Sequence, residues 1–158
     1  MRKKGIAKLV NMNILYKNLD YKEGKLYRKN GDLAGTFLKS GYGIVSVEGK
    51  RMGIHRVIYA MHHGYFPKTI DHIDGNPLNN NIYNLRAATK SQNGMNQKLS
   101  VKNTSGYKGI SKHGNNWRVC IYVKNKKINI GTYKDKQIAN LMAISARNKY
   151  HNEFARHE

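Results

Sequence analysis

Between Gly75 and Lys134 the chain carries eleven lysines and arginines and no carboxylate. Such a stretch cannot neutralise itself with internal ion pairs. Its fold must keep these side chains on solvated faces or set them against a polyanion. The whole sequence leans the same way: 29 Lys and Arg oppose 9 Asp and Glu in 158 residues, a formal charge of +20. A small acidic metabolite needs no field of that size, whereas nucleic acid does. Hydrophobic residues at 39% support a modest core, and the length suits one ordinary domain or two small ones.

Cys120 is the single cysteine, which excludes a disulfide framework and any zinc site built on cysteine pairs. A reducing, cytoplasmic compartment is expected. The start, MRKKGIAKLVNMN, has a basic head whose apolar stretch is broken by Lys8 and Asn11. It reads as a basic tail rather than a signal peptide, and no apolar run approaches the roughly 20 residues of a membrane span. No membrane and no small-molecule cofactor is expected as a partner.

Residues 14–19 read as a short helix, followed by strands broken at Glu23-Gly24 and at Asn30-Gly31, the second a type I′ hairpin signal. Ile44, Val45 and Val47 are strand formers ahead of a Glu48-Gly49-Lys50 turn. In 55–63, Val57, Ile58 and Met61 fall at helical spacing and Gly64 stops the helix. An extended run over 68–73 ends in Asp74-Gly75, and 82–87 reads as a returning strand. Thr89 is a helix N-cap for 90–97. The polar stretch 99–105 reads as a linker. Beyond it, 107–111, 117–123 and 126–133 read as three strands and 135–154 as a helix. That helix has Ile138, Leu141, Met142 and Ser145 along one face, with Ala139, Ala143 and Ala146 available for close packing. The expected class is α+β.

Chemistry concentrates in IDHIDGNPLNNNIYNLRAATKSQN. Hydrolysis of a phosphodiester needs a base for the attacking water and stabilisation of charge growing on the phosphate oxygens. An imidazole takes a proton near neutral pH. A divalent cation supplies the stabilisation and prefers hard oxygen ligands, which Asp71 and an asparagine carbonyl offer. Asp71 in a strongly basic field therefore points to cation binding, and the neighbouring His72 to proton transfer. Asp74 reads as a turn residue. His55 reads as a packed, hydrogen-bonded histidine rather than a ligand. A helix starting near Thr89 places Asn93 in its second turn, with Asn96 beside it as a substitute ligand.

The run 54–96 resembles the HNH nucleases, particularly the phage and intron-encoded homing-endonuclease branch. The match lies in His55-Arg56, in IDHIDGN over 70–76, in Asn84-Leu85-Arg86 and in Gln92-Asn93. The resemblance implies a ββα-metal (His-Me finger) site. In it Asp71 and Asn93 bind one Mg²⁺ or a similar ion such as Mn²⁺, His72 is the general base, and Asn84 holds the loop and orients the base. Asn93 stands where many relatives have histidine, which shifts the site toward oxygen ligation and away from zinc. Arg56 and Arg86 are expected at the DNA.

In 117–123, alternation sets Trp117, Val119, Ile121 and Val123 on one face and Arg118, Cys120, Tyr122 and Lys124 on the other. The apolar face should pack on the last helix, leaving a basic, partly aromatic face able to enter a DNA groove. Lys112 and Lys124 are expected at phosphates, setting register without reading sequence. Residues 104–154 resemble the plant APETALA/ethylene-response-factor DNA-binding domain in YKGI over 107–110, Trp117, IGTY over 130–133 and the alanine-bearing helix. The resemblance implies a three-stranded antiparallel sheet packed on one helix, with Lys108, Arg118, Tyr122, Lys127 and Asn129 toward DNA. Ser111, Tyr122 and Asn129 replace the usual Arg, Arg and Trp, so the fold is better marked than any base preference.

The combined expectation is a nuclease domain at 13–98 with N-terminal hairpins, a linker at 99–105 and a DNA-binding domain at 106–155. Its function would be metal-dependent, homing-type cleavage of double-stranded DNA by a monomer or weak dimer, in the bacterial host cell if phage-encoded. The rival expectation is a non-catalytic, sequence-specific DNA-binding regulator.

Overall fold

Three of the chain's reversals are two-residue turns in which both residues have positive φ: Glu23-Gly24 (48° and 80°), Glu48-Gly49 (47° and 75°) and Lys124-Asn125 (49° and 64°). This is type I′ geometry, whose twist matches that of the strands it joins. The computed structural model describes residues 11–158; the basic start of the chain, read above as a tail, lies largely outside the described residues. The described chain forms two compact units divided between Arg86 and Ala87. The division falls earlier than the 99–105 stretch read as a linker.

In the first unit, α1 (Met12–Asn18) starts where the Asn11 side chain accepts from the Asn13 amide. This cap sets the helix earlier than the 14–19 expected and releases Leu19 into a strand. β1 (Leu19–Lys22) and β2 (Lys25–Arg28) form a hairpin around Glu23-Gly24. Asn30-Gly31 is not the type I′ turn expected. Gly31 alone has positive φ there, at 91°. The Asn30 amide is tied to Asp32 at both its nitrogen and its oxygen, closing a longer loop in which Arg28 exchanges backbone bonds with Gly31 and Asp32. β3 (Thr36–Phe37), β4 (Gly43–Val47) and β5 (Lys50–Gly53) make an antiparallel sheet in that order. Then α2 (Ile54–His63) buries Ile54, Val57 and Ile58 against Leu15, Leu19, Leu26 and Val45. The helix ends on Gly64 at φ 75°, whose amide donates to the Ala60 carbonyl, a C-terminal cap open to glycine at little cost. β6 (Thr69–His72) pairs with β7 (Leu85–Ala88). Between them 82–84 is a 3₁₀ turn, because the Asn81 side chain caps the Tyr83 amide; the strand expected from residue 82 begins at Leu85.

The second unit opens with α3 (Lys90–Met95) behind a capping box. Thr89 Oγ1 accepts from the Gln92 amide at 3.2 Å and Gln92 Oε1 from the Thr89 amide at 2.8 Å. The helix stops at Met95, short of residue 97. β8 (Ile110–His113), β9 (Asn116–Val123) and β10 (Lys126–Tyr133) form an antiparallel sheet in the order β10-β9-β8, with a register shift between Asn129 and Gly131. Its first strand begins at Ile110, later than the 107 expected. α4 (Lys136–His151) is capped by Asp135, whose carboxylate accepts from the Ile138 amide at 2.8 Å. Ala139 and Ala143 are fully buried beside Val119 and Ile110. The stripe of Ile138 and Leu141 lies outward, 51% and 64% exposed, and the alanines named for close packing are the ones buried. The alanines let helix and sheet approach closely, and branched side chains on that face would overfill the gap. Among the described residues no helix is long and apolar enough to cross a membrane.

Candidate active site and nucleic-acid face

β6 delivers Asp71 and His72 as consecutive residues at its end, both buried. Alternation along a strand sends neighbours to different sides, and their partners differ accordingly. Asp71 Oδ2 receives Nε of Arg86, from β7, at 2.8 Å and its terminal nitrogen at 2.7 Å. His72 Nε2 lies 3.1 Å from Asn80 Oδ1. Its ring also packs beside His55 from the first turn of α2, with centroids 5.4 Å apart, and beside Tyr42 at 6.0 Å.

The loop that follows is tied to Asp74. Its carboxylate accepts from the Asn76 amide at 2.7 Å, Asn79 Nδ2 at 2.7 Å and Asn84 Nδ2 at 3.0 Å. Burial alone would raise the Asp74 pKa. These hydrogen bonds, joined by the charge of His72, outweigh it and hold the carboxyl below its usual value. Asn84 also donates to the Asn79 carbonyl and accepts from the Asp74 amide. It therefore holds the loop, while the bond to the imidazole expected of it comes from Asn80. Asn80 was missed because an Asn-Asn-Asn run reads only as polar loop; its burial depends on its tertiary partners.

His55 is packed, as read, and its place is beside His72. Burial, then the neighbouring charges of His72 and Arg56, lower its pKa to about 4. The unfolded chain binds a proton on this residue near 6.5, the folded chain only near 4, so stability falls as pH drops through that window. The expected result is a His55 ring resonance titrating near pH 4, and a His55→Gln variant whose melting temperature falls less steeply between pH 6.5 and 4 than that of the parent chain.

Two arginines expected at DNA are engaged inside the fold. Arg56 donates to the Pro67 and Lys68 carbonyls at 2.9 and 3.3 Å and lies over the Phe66 ring. Arg86 holds Asp71. Lys108 is likewise engaged, donating to the Met95 and Gln97 carbonyls at the end of α3, where a cation complements the helix dipole. Asn93 sits half-buried on α3. It belongs to the second compact unit and Asp71 to the first.

Among the described residues no group of three or more His, Cys, Asp or Glu side chains converges as a metal cage. Magnesium does not require one, being commonly held by one or two carboxylates plus water and substrate phosphate. An aspartate carboxylate and the Asn93 amide oxygen are hard donors of the kind such an ion takes, and at Asp71 the ion would compete with the Arg86 guanidinium.

On the sheet of the second unit, cross-strand register puts Tyr122 opposite Lys127, Cys120 opposite Asn129 and Arg118 opposite Thr132 on one face. Tyr122, Lys127 and Asn129 are exposed, and Arg118 donates to the His113 ring. Lys124 lies in the turn beyond. Lys112 is exposed but sits opposite Trp117, on the other face.

The family model described as HNH endonuclease matches residues 52–95, from β5 to the end of α3. Protein 3.8 of Escherichia phage T7 is 36% identical over 108 residues, covering 65% of this chain and 87% of the phage protein. The chain belongs to the HNH endonuclease family. The Uncharacterized HNH endonuclease L560 of Acanthamoeba polyphaga mimivirus is 43% identical over 113 residues, 66% of this chain and 58% of that protein. No solved structure matches. The HNH segment thus contains the strand, loop, strand and helix that carry Asp71, His72, Asn80, Asn84 and Asn93.

Proposed function

We propose that the chain is a metal-dependent DNA endonuclease that hydrolyses phosphodiester bonds at a specific site, in the manner of homing endonucleases. The observation that carries this reading is the buried His72 with Nε2 against an amide oxygen. Asn80 Oδ1 can only accept, and its own Nδ2 faces the Leu78 carbonyl. The shared proton therefore sits on Nε2, and Nδ1 is the basic nitrogen.

Nδ1 takes the proton of a water as its oxygen bonds to phosphorus, and the bond to the leaving sugar oxygen breaks. Asn80 fixes the tautomer, and Asn84 with Asp74 fixes the loop that carries Asn80. A divalent cation of the Mg²⁺ class, held by Asp71 and Asn93, would offset negative charge growing on the phosphate oxygens. The domain at 106–155, following a linker at 99–105, is an APETALA/ethylene-response-factor-like DNA-binding module in this reading. Its Arg118, Tyr122, Lys127 and Asn129 face the duplex, Lys124 reaches phosphates from the turn, and Lys112 does so around the β8 edge of the sheet from its other face. One such site per chain nicks one strand as a monomer, and cutting both strands needs a weak dimer or a second turnover. The substrate is met in the cytoplasm of the host cell.

The test is incubation of the full chain with supercoiled plasmid and Mg²⁺. Nicked circles that disappear on chelation are expected. DNA retarded in a gel but uncut in both Mg²⁺ and Mn²⁺ would overturn the nuclease reading in favour of a DNA-binding regulator.

A further inference from the structure

A cavity of about 410 Å³ lies within the second unit, bordered by Ser91 and Met95 of α3, by Lys108 and Tyr122, and by Arg147 and His151 of α4. Arg147 is 1% exposed. Its Nη1 donates to the Lys108 carbonyl at 2.5 Å and its Nε to His157 at 3.2 Å, but Nη2 is buried with no acceptor among the described residues. His151 is 6% exposed; Nε2 faces the Tyr122 carbonyl at 3.1 Å, and Nδ1 is buried with no partner among the described residues. None of the three basic side chains has an ion pair among the described residues.

Burying a guanidinium without a counter-charge is strongly unfavourable, and here three basic groups border one cavity. Their crowding is felt by Lys108 and His151. Burial, then Arg147 and Arg156, bring the Lys108 pKa down to about 8. Burial lowers that of His151, with Lys108 and Arg147 adding to it against the bond to Tyr122. An anion in the cavity would offset the mutual repulsion of these groups. Orphaned nitrogens on two side chains suit a ligand with several oxygens in different directions, and guanidinium groups match phosphate in both charge and geometry. We propose that this cavity binds a phosphate group, with Arg147 donating to its oxygens, His151 taking up a proton from solvent so that Nδ1 donates as well, and Lys108 adding charge. The phosphate is that of a free phosphate ester or of the DNA backbone.

The experiment is titration of the full chain with inorganic phosphate at constant ionic strength, followed by nitrogen resonances of the Arg147 and His151 side chains. Saturable shifts confined to these two residues and their neighbours are expected. Arg147→Met should weaken the apparent Kd by tenfold or more. Because that variant also loses the bond to Lys108, Ser91→Asp serves beside it: it places a carboxylate at the cavity wall without removing any of these bonds, and should weaken phosphate to the same extent. Displacement of bound phosphate by duplex DNA would assign the site to the DNA backbone, and its retention to a free phosphate ester. Shifts that grow linearly without saturation and spread over surface lysines, or unchanged affinity in folded Ser91→Asp, would overturn the proposal.

Discussion

Replacing His72 by Ala is expected to slow plasmid nicking about 10²- to 10⁴-fold, the usual contribution of a positioned general base, while gel retardation of the same DNA stays nearly unchanged. In the proposed reading the two readouts separate, because a chain of charge +20 would draw its duplex affinity from many phosphate contacts, whereas proton abstraction needs one nitrogen. The variant also orphans Asn80 Oδ1, now 3.1 Å from an imidazole, at a cost of about 1–3 kcal/mol. Rates should therefore be compared well below its melting temperature. Asn80→Ala provides the matching control. It keeps the imidazole but frees its tautomer, so it should lower the maximal rate by less than His72→Ala does. Nicking by His72→Ala at the parent rate would remove the base assignment.

What was legible in the sequence was local. The N-cap at Thr89, the stop at Gly64 and the alternation of Val119 and Ile121 against Tyr122 depend on residues within a few positions of one another, and each is found where expected. Asp71 and His72 were legible for the same reason, since adjacent residues of that chemistry in a basic stretch are conspicuous. What escaped depends on partners far along the chain. Arg86 looked like a DNA contact until strand pairing set it against Asp71, and Arg56 until the chain after α2 returned its Pro67 and Lys68 carbonyls. Helical spacing showed that α4 has two stripes. Which one packs was decided by the fit to the sheet, and the alanines fit.

Asp71→Asn should abolish nicking and also destabilise the chain, and the second effect tests the metal assignment independently of catalysis. Asp71 is 3% exposed and the Arg86 side chain 15%. Breaking a buried pair from one side costs about 3–5 kcal/mol, and the residual exposure of Arg86 points to the lower end. Arg86→Met breaks the same pair from the other side and leaves the carboxylate without its cation. If Asp71 ligates a divalent ion, that ion can now take the place of the guanidinium. A ligand that binds only the folded state at a hundred times its Kd stabilises by about 2.7 kcal/mol. Mg²⁺ should therefore raise the melting temperature of Arg86→Met more than that of the parent chain, and leave Asp71→Asn unmoved. Equal Mg²⁺ shifts in all three proteins would place the cation elsewhere, and Asp71 would then serve the fold through Arg86 alone.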